Sequence, residues 1–116
     1  MRKDAFRDFV LEQLGDLRGL NCVAVFSGYG LWCDKTYFGV ISKGRLYFHV
    51  NDETRAPYAA AGSLPLRTGG GRIMREYLEV PANILKNPDD AVAWAEQAIE
   101  VAQEKKEGRW RKIRHR

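Results

Sequence analysis

Apolar side chains at Phe6, Phe9, Val10, Leu14 and Leu17 recur three and four positions apart, which lays one stripe along a helix. Asp4 stands where an N-cap carboxylate would take up the free amides of the first turn. Gly15 and Gly19 mark where that helix weakens. The pattern then changes to short apolar runs parted by turn residues. Asn21–Phe26 reads as a first strand, Leu31–Cys33 as a second and Tyr37–Ser42 as a third, with turns at Asp34-Lys35 and Lys43-Gly44. In Arg45–Val50 the apolar Leu46, Phe48 and Val50 alternate with Arg45, Tyr47 and His49, the period of a sheet with two unlike faces.

Past residue 50, Asn51 or Asp52 can cap a short helix through Thr54, Tyr58 and Ala59–Ala61, stopped at Gly62. Ser63-Leu64-Pro65 leads out of it, Thr68–Gly71 reads as a mobile linker, and Arg72–Val80 as a fifth strand ended by Pro81. Arg75, Glu76 and Glu79 blur the alternation of that strand and leave its inward face unassigned. Ile84 and Leu85 suit a single helical turn. Asn87, Pro88, Asp89 and Asp90 open a final helix with a capping side chain, a proline in the first turn and acids at the positive end of the dipole. Ala91, Trp94, Ala95, Ala98, Ile99 and Ala102 follow at helical spacing, Trp94 as the bulky anchor, and Gly108 marks the expected end. The order α-β-β-β-β-α-β-α predicts an α+β two-layer sandwich, an antiparallel sheet of about five strands with helices on one face.

A length of 116 residues implies one domain, and 45% hydrophobic with 29% charged residues is the balance of a globular chain. No apolar run nears the ~20 residues of a membrane span. Acidic residues interrupt the apolar ones at the N-terminus, unlike a signal peptide, so a cytoplasmic location is expected. Cys22 and Cys33 then read as reduced thiols. With two histidines and no Cys-x-x-Cys pair, neither a metal nor another cofactor is expected. Charge changes the picture more. Residues 103–116 hold seven basic and two acidic side chains, a net +5 against +4 for the whole chain, which leaves the body at −1. The domain proper is taken as residues 1–102, with 103–116 as a basic extension.

Three segments carry a family likeness: Phe26-Ser27-Gly28-Tyr29-Gly30-Leu31-Trp32; Gly44-Arg45-Leu46-Tyr47-Phe48 with Ala60–Ser63 downstream; and Tyr77–Pro81 followed by Asn87-Pro88-Asp89 and Trp94-Ala95. In this order and spacing they resemble the N-terminal domain of the TfoX/Sxy competence regulators, over about Asp4 to Ala102. The resemblance implies a compact α+β domain in a stand-alone form. It implies structural roles for Phe26, Gly28, Tyr29, Gly30, Gly44, Leu46, Tyr77, Pro81 and Trp94, and implies function only loosely.

Among candidate sites, Gly28-Tyr29-Gly30 either lets a ligand approach the backbone or marks a bulge or bend between strands; no helix follows, as a phosphate loop would require. Thr68–Gly71 beside Arg72 is either an anion nest or a plain connection. A Cys33–His49 pair would make an activated nucleophile only if the fold joined them, and no third orienting residue suggests itself, so no enzyme is expected. Tyr37, Tyr47 and His49 share the uncovered sheet face, either as a surface for a protein partner (a second copy included) or as cross-strand pairs. In the tail, Lys105, Lys106, Arg109, Arg111, Lys112 and Arg114 surround Trp110, a composition that binds nucleic acid by counterion release and base stacking, or else a solvated end. No membrane or small-molecule ligand is indicated. The leading expectation is a non-enzymatic regulatory or protein-interaction module linked to transcription, with nucleic-acid binding through the tail as the alternative.

Overall fold

A meander of four strands dominates the chain, and its second and third turns are each two residues long and take a left-handed residue. The computed structural model describes the backbone over residues 4–25 and 28–114 and side chains as far as residue 105. Helix α1 (Ala5–Gln13) precedes strands β1 (Leu20–Val25), β2 (Gly28–Cys33), β3 (Thr36–Ser42) and β4 (Arg45–His49). Asp34 has φ 54°, and Lys43 and Gly44 have φ 52° and 73°. A tight hairpin needs that geometry to follow the strand twist, and Gly44 adopts it without steric cost. Helix α2 (Ala56–Ala60), strands β5 (Pro65–Arg67) and β6 (Ile73–Glu79), helix α3 (Ala82–Leu85) and helix α4 (Pro88–Arg114) complete the order.

All strand pairs are antiparallel, in the order β1-β2-β3-β4-β6-β5. The class is the expected α+β, with six strands among the described residues where about five were expected. The additional strand is β5, three residues long, too short to show alternation in sequence. Its Pro65 is tolerated because β5 is an edge, where a missing N–H breaks no second ladder. Thr68–Gly71 is accordingly the β5–β6 hairpin loop and not a mobile linker. The Thr68 amide bonds the Arg72 carbonyl and the Gly71 amide bonds the Thr68 carbonyl, each at 2.9 Å. The Arg72 amide bonds Thr68 Oγ1 at 3.2 Å. With those three donors spent inside the loop, the anion-nest reading has little to work with.

One core collects side chains from all four helices on one face of the sheet. Val10, Leu14, Leu31, Phe38, Phe48, Tyr58, Leu78, Leu85, Ala95 and Ala98 are among its buried members. Ala91, Ala95 and Ala98 are fully buried, the close helix–sheet approach their small side chains permit. Trp94 meets Tyr58 edge-on, ring centres 4.7 Å apart. Strand β6, ambiguous in sequence, aligns Leu78 with Phe48 and Tyr77 with His49. Leu78 thus faces the helices and Tyr77 faces away.

Three helix boundaries differ from the sequence reading. Asp4 is the residue before α1, but its carboxylate makes no capping bond; it accepts a hydrogen bond from the Tyr29 hydroxyl instead. Arg7 lies over the same ring, 5.1 Å from its centre. Asn51 Oδ1 accepts the amides of Glu53 and Thr54 at 2.9 Å each, ordering a turn ahead of α2 without capping the helix itself. Helix α4 runs through Gly108 to Arg114. One interior glycine costs only about 1 kcal/mol against alanine, and the Glu, Lys and Arg around it favour helix. Asn87 does cap α4: its Oδ1 accepts the amides of Asp89 at 3.0 Å and Asp90 at 3.2 Å. Among the described residues no helix is long and apolar enough to cross a membrane.

Candidate functional site

The sheet face turned away from the helices is organised by one irregularity. Leu31 stands opposite Gly39 and Trp32 opposite Tyr37, so Phe38 is an extra residue on β3, a β-bulge. Strict alternation would place Tyr37 on the same face as Gly39 and Ile41, inside the main core. The bulge turns it outward instead, where it packs with Val40, Met74 and the buried Tyr47, Leu66 and Tyr77 in a second cluster.

Gly30 supplies the seat for the Tyr37 ring. A Cβ at Gly30 would lie 2.7 Å from Tyr37 Cε1, so an aromatic from the neighbouring strand covers the glycine. The Gly28-Tyr29-Gly30 segment is thus part of strand β2, and the bulge sits on its neighbour. Replacing Gly30 with alanine is expected to displace Tyr37 and to shift the near-ultraviolet circular dichroism and the Trp32 fluorescence. An unchanged spectrum would refute the seating.

Four rings form a continuous row across the strands. Trp32 and Tyr37 are 4.8 Å apart between centres, Tyr37 and Tyr77 6.2 Å, and Tyr77 and His49 4.8 Å in an edge-on contact. The three residues expected on this face are there. Tyr47 and His49 are buried, at 9% and 7% exposure, and Tyr37 is half-buried, so they present less surface to a partner than the sequence suggested.

Beside the row is a cleft of about 330 Å³, lined by the four rings, Thr36 and Ala102, with Lys35 and Lys105 also in its wall. Ala102 and Lys105 come from α4 and were not placed here by any sequence signal, since the contact depends on where the helix crosses the sheet. Nδ1 of His49 is buried and makes no hydrogen bond. Burial pushes the His49 pKa below its ordinary 6.5, Lys105 adds to the effect, and Glu76 and the Val50 backbone oppose it.

The sign of the consequence is definite. A histidine harder to protonate when folded than when unfolded costs nothing above pH 6.5 and removes stability as pH falls from there towards its lower folded value. His49→Phe keeps a ring beside Tyr77 and lacks the proton site. Its melting temperature should therefore fall less than that of the parent between neutral and mildly acidic pH; parallel curves would contradict this.

Cys33 and His49 are kept apart by the sheet. Cys33 packs against the main core and its Sγ contacts the Arg18 carbonyl at 3.2 Å, whereas His49 meets Tyr77 on the opposite face. Burial raises the pKa of both Cys22 and Cys33, which keeps them as thiols, and both are free. At the far end of the outer face Arg45 grips the Glu79 carboxylate at 3.0 and 3.1 Å.

The two sheet edges are unlike. Edge β5 is short and carries Pro65 and Arg67, features that discourage pairing. Edge β1, six residues of sequence LNCVAV, has no charge and no proline, and its Val23 and Val25 are 43% and 38% exposed.

Of the residues implied by resemblance, Leu46 is buried in the core and Trp94 packs against it, and Pro81 starts α3. Phe26 lies outside the described residues, as do the side chains of Lys106, Arg109, Trp110, Arg111, Lys112 and Arg114. A comparison with curated proteins found no match. The sequence model of the TfoX N-terminal domain matches residues 12–102. The chain belongs to that family.

Proposed function

We propose that this member of the TfoX N-terminal domain family is a non-enzymatic regulatory module that works by protein–protein contact, with strand β1 as the docking edge. The observation that carries the reading is the bare edge itself. Six residues without charge or proline leave backbone donors and acceptors unpaired on one side, with Val23 and Val25 exposed beside them. An extended strand from a partner would satisfy both at once, main-chain bonds giving affinity and the valines giving apolar contact. The link to transcriptional regulation rests on the likeness to competence regulators. The non-catalytic part is supported by the separation of Cys33 from His49 and by the raised thiol pKa values.

Size-exclusion chromatography with pull-down from the cell's own extract tests it. A retained partner or a dimer is expected, lost on combining Val23→Lys with Val25→Lys, since lysine on an edge blocks pairing. A strictly monomeric chain with no retained partner, or association indifferent to both lysines, would reject the reading.

A second reading, nucleic-acid binding through the C-terminal segment, is favoured by the backbone of α4, which continues as helix to Arg114. That places six of the seven basic residues of 103–116, Lys105 to Arg114, on the last turns of one long element. Phosphate contacts would make affinity fall steeply with salt. Deletion of residues 105–116 should abolish binding to DNA and RNA measured at low salt, and unchanged affinity would end this reading.

A further inference from the structure

We infer that strand β1 pairs antiparallel with β1 of a second copy of this chain, about a two-fold axis at Val23. This rests on the reading of β1 as the docking edge and names its occupant. The sheet has two edges, β1 and β5. Edge β5 is three residues long and carries Pro65 and Arg67, which discourage a further strand. Edge-to-edge joining of two copies is thereby confined to β1 on β1. Such a contact uses the same patch twice, so it closes at a dimer and does not run on into a fibre.

The backbone of β1 determines which residues are open to it. The Asp34 amide bonds the Gly19 carbonyl at 2.9 Å, and the register runs on from Leu20↔Cys33 to Val25↔Gly28. Bonded and non-bonded pairs alternate along an antiparallel ladder. Asn21, Val23 and Val25 therefore bond towards β2, while Leu20, Cys22 and Ala24 turn their N–H and C=O groups outward. Among the described residues β1 has no strand on that side. A second β1 carries the same alternation, so only registers that set outward residue against outward residue are available. With the axis at Val23, Cys22 faces Ala24 of the other copy and Ala24 faces its Cys22, and each pair exchanges both bonds.

Side chains favour that register. Val23 and Val25 are 43% and 38% exposed. Their partners on β2 are Gly30 and Gly28, which have no side chain to set against them. The axis puts Val23 against Val23 of the other copy in a non-bonded pair, where cross-strand side chains stand closest, and Val25 against Asn21. An axis at Cys22 would set Val23 against Asn21 and Val25 against Gly19, leaving both valines without an apolar partner. Charge does not oppose the approach, since LNCVAV has none. On the helix side Arg7 acts on Cys22, and it is itself paired with Asp4 at 3.8 Å and Asp8 at 2.9 Å. Asn21, Val23, Ala24 and Val25 are all exposed, so both faces of the strand are accessible.

The test is sedimentation equilibrium of the purified full chain, where a concentration-dependent monomer–dimer equilibrium is expected. Ala24→Pro deletes an amide that points away from β2, so the monomer keeps its ladder while the dimer should weaken at least about tenfold. Gly70→Ala, in the β5–β6 loop, should leave the equilibrium unchanged, and circular dichroism of each variant reports the fold. Val23→Cys, combined with Cys22→Ser and Cys33→Ser, should give an interchain disulfide on mild oxidation. Cys33→Ser alone should not, because the offset register holds the two Cys22 residues beyond the roughly 7 Å that a disulfide spans. A strictly monomeric parent overturns the inference. So does a dimer indifferent to Ala24→Pro, or one cross-linked through Cys22 and not through Val23→Cys. A monomer that still retains a protein from cell extract through β1 overturns it too, yet leaves the docking reading standing; a monomer that retains nothing rejects both.

Discussion

Replacing Phe48 with alanine should destabilise the protein by about 3–5 kcal/mol. The ring is fully buried at the centre of the sheet. It meets Phe38 with ring centres 5.7 Å apart, pairs across strands with Leu78 and covers Gly39. Truncation removes the apolar transfer energy and leaves a cavity that neighbours from three strands cannot fill together. Total stability of a domain is about 5–15 kcal/mol, so the loss is a large fraction of it. At about 4 °C per kcal/mol for a chain of this size, the melting temperature should fall by roughly 12–20 °C. Phe9→Ala provides the comparison. That ring is 36% exposed on α1, and its loss should cost well under half as much. Calorimetry on both variants decides it; equal losses would mean that Phe48 is not at the centre of the core.

The second large effect is expected from Gly28→Ala, about 3 kcal/mol by steric conflict. A Cβ at Gly28 would be 2.1 Å from the carbonyl oxygen of Ile41. The obstructing atom is backbone in the partner strand, so it cannot swing aside as a side chain would. Relief requires β2 and β3 to part locally, and hydrogen exchange should show their paired amides losing protection first. Gly70 is the contrast: nothing lies within 4 Å of a Cβ added there. Gly70→Ala should change stability by less than about 0.5 kcal/mol. A Gly28→Ala chain as stable as the Gly70→Ala chain would show that β2 and β3 are not held as closely as described.

Much of the architecture was readable because its signals are local. The two-residue turns, the alternation of Leu46, Phe48 and Val50 against Tyr47 and His49, and the Asn87 cap each depend on residues within a few positions of one another. Strand β5 escaped because three residues show no period. Gly108 misled because its helix cost is small beside the propensity of its neighbours. Asp4 suits a cap in isolation, but Tyr29 is brought to it from β2 across the sheet.

The candidate site was less legible. Tyr47 and His49 could be assigned to one face by parity, but Tyr37 joins them through the bulge at Phe38, and the burial of Tyr47 depends on Tyr77 and Leu66 arriving from strands far along the chain. Trp32 and Lys105 carry no sequence pattern that joins them.

The chain alone determined the class of fold, the meander and the alternating faces of β4, because turn and period preferences act between near neighbours. Tertiary structure decided the register of β6, the outward turn of Tyr37 and the enclosure of a cleft by α4. Those follow from a bulge, a seat on Gly30 and the path of a helix over a sheet, which only the packing of distant segments can set.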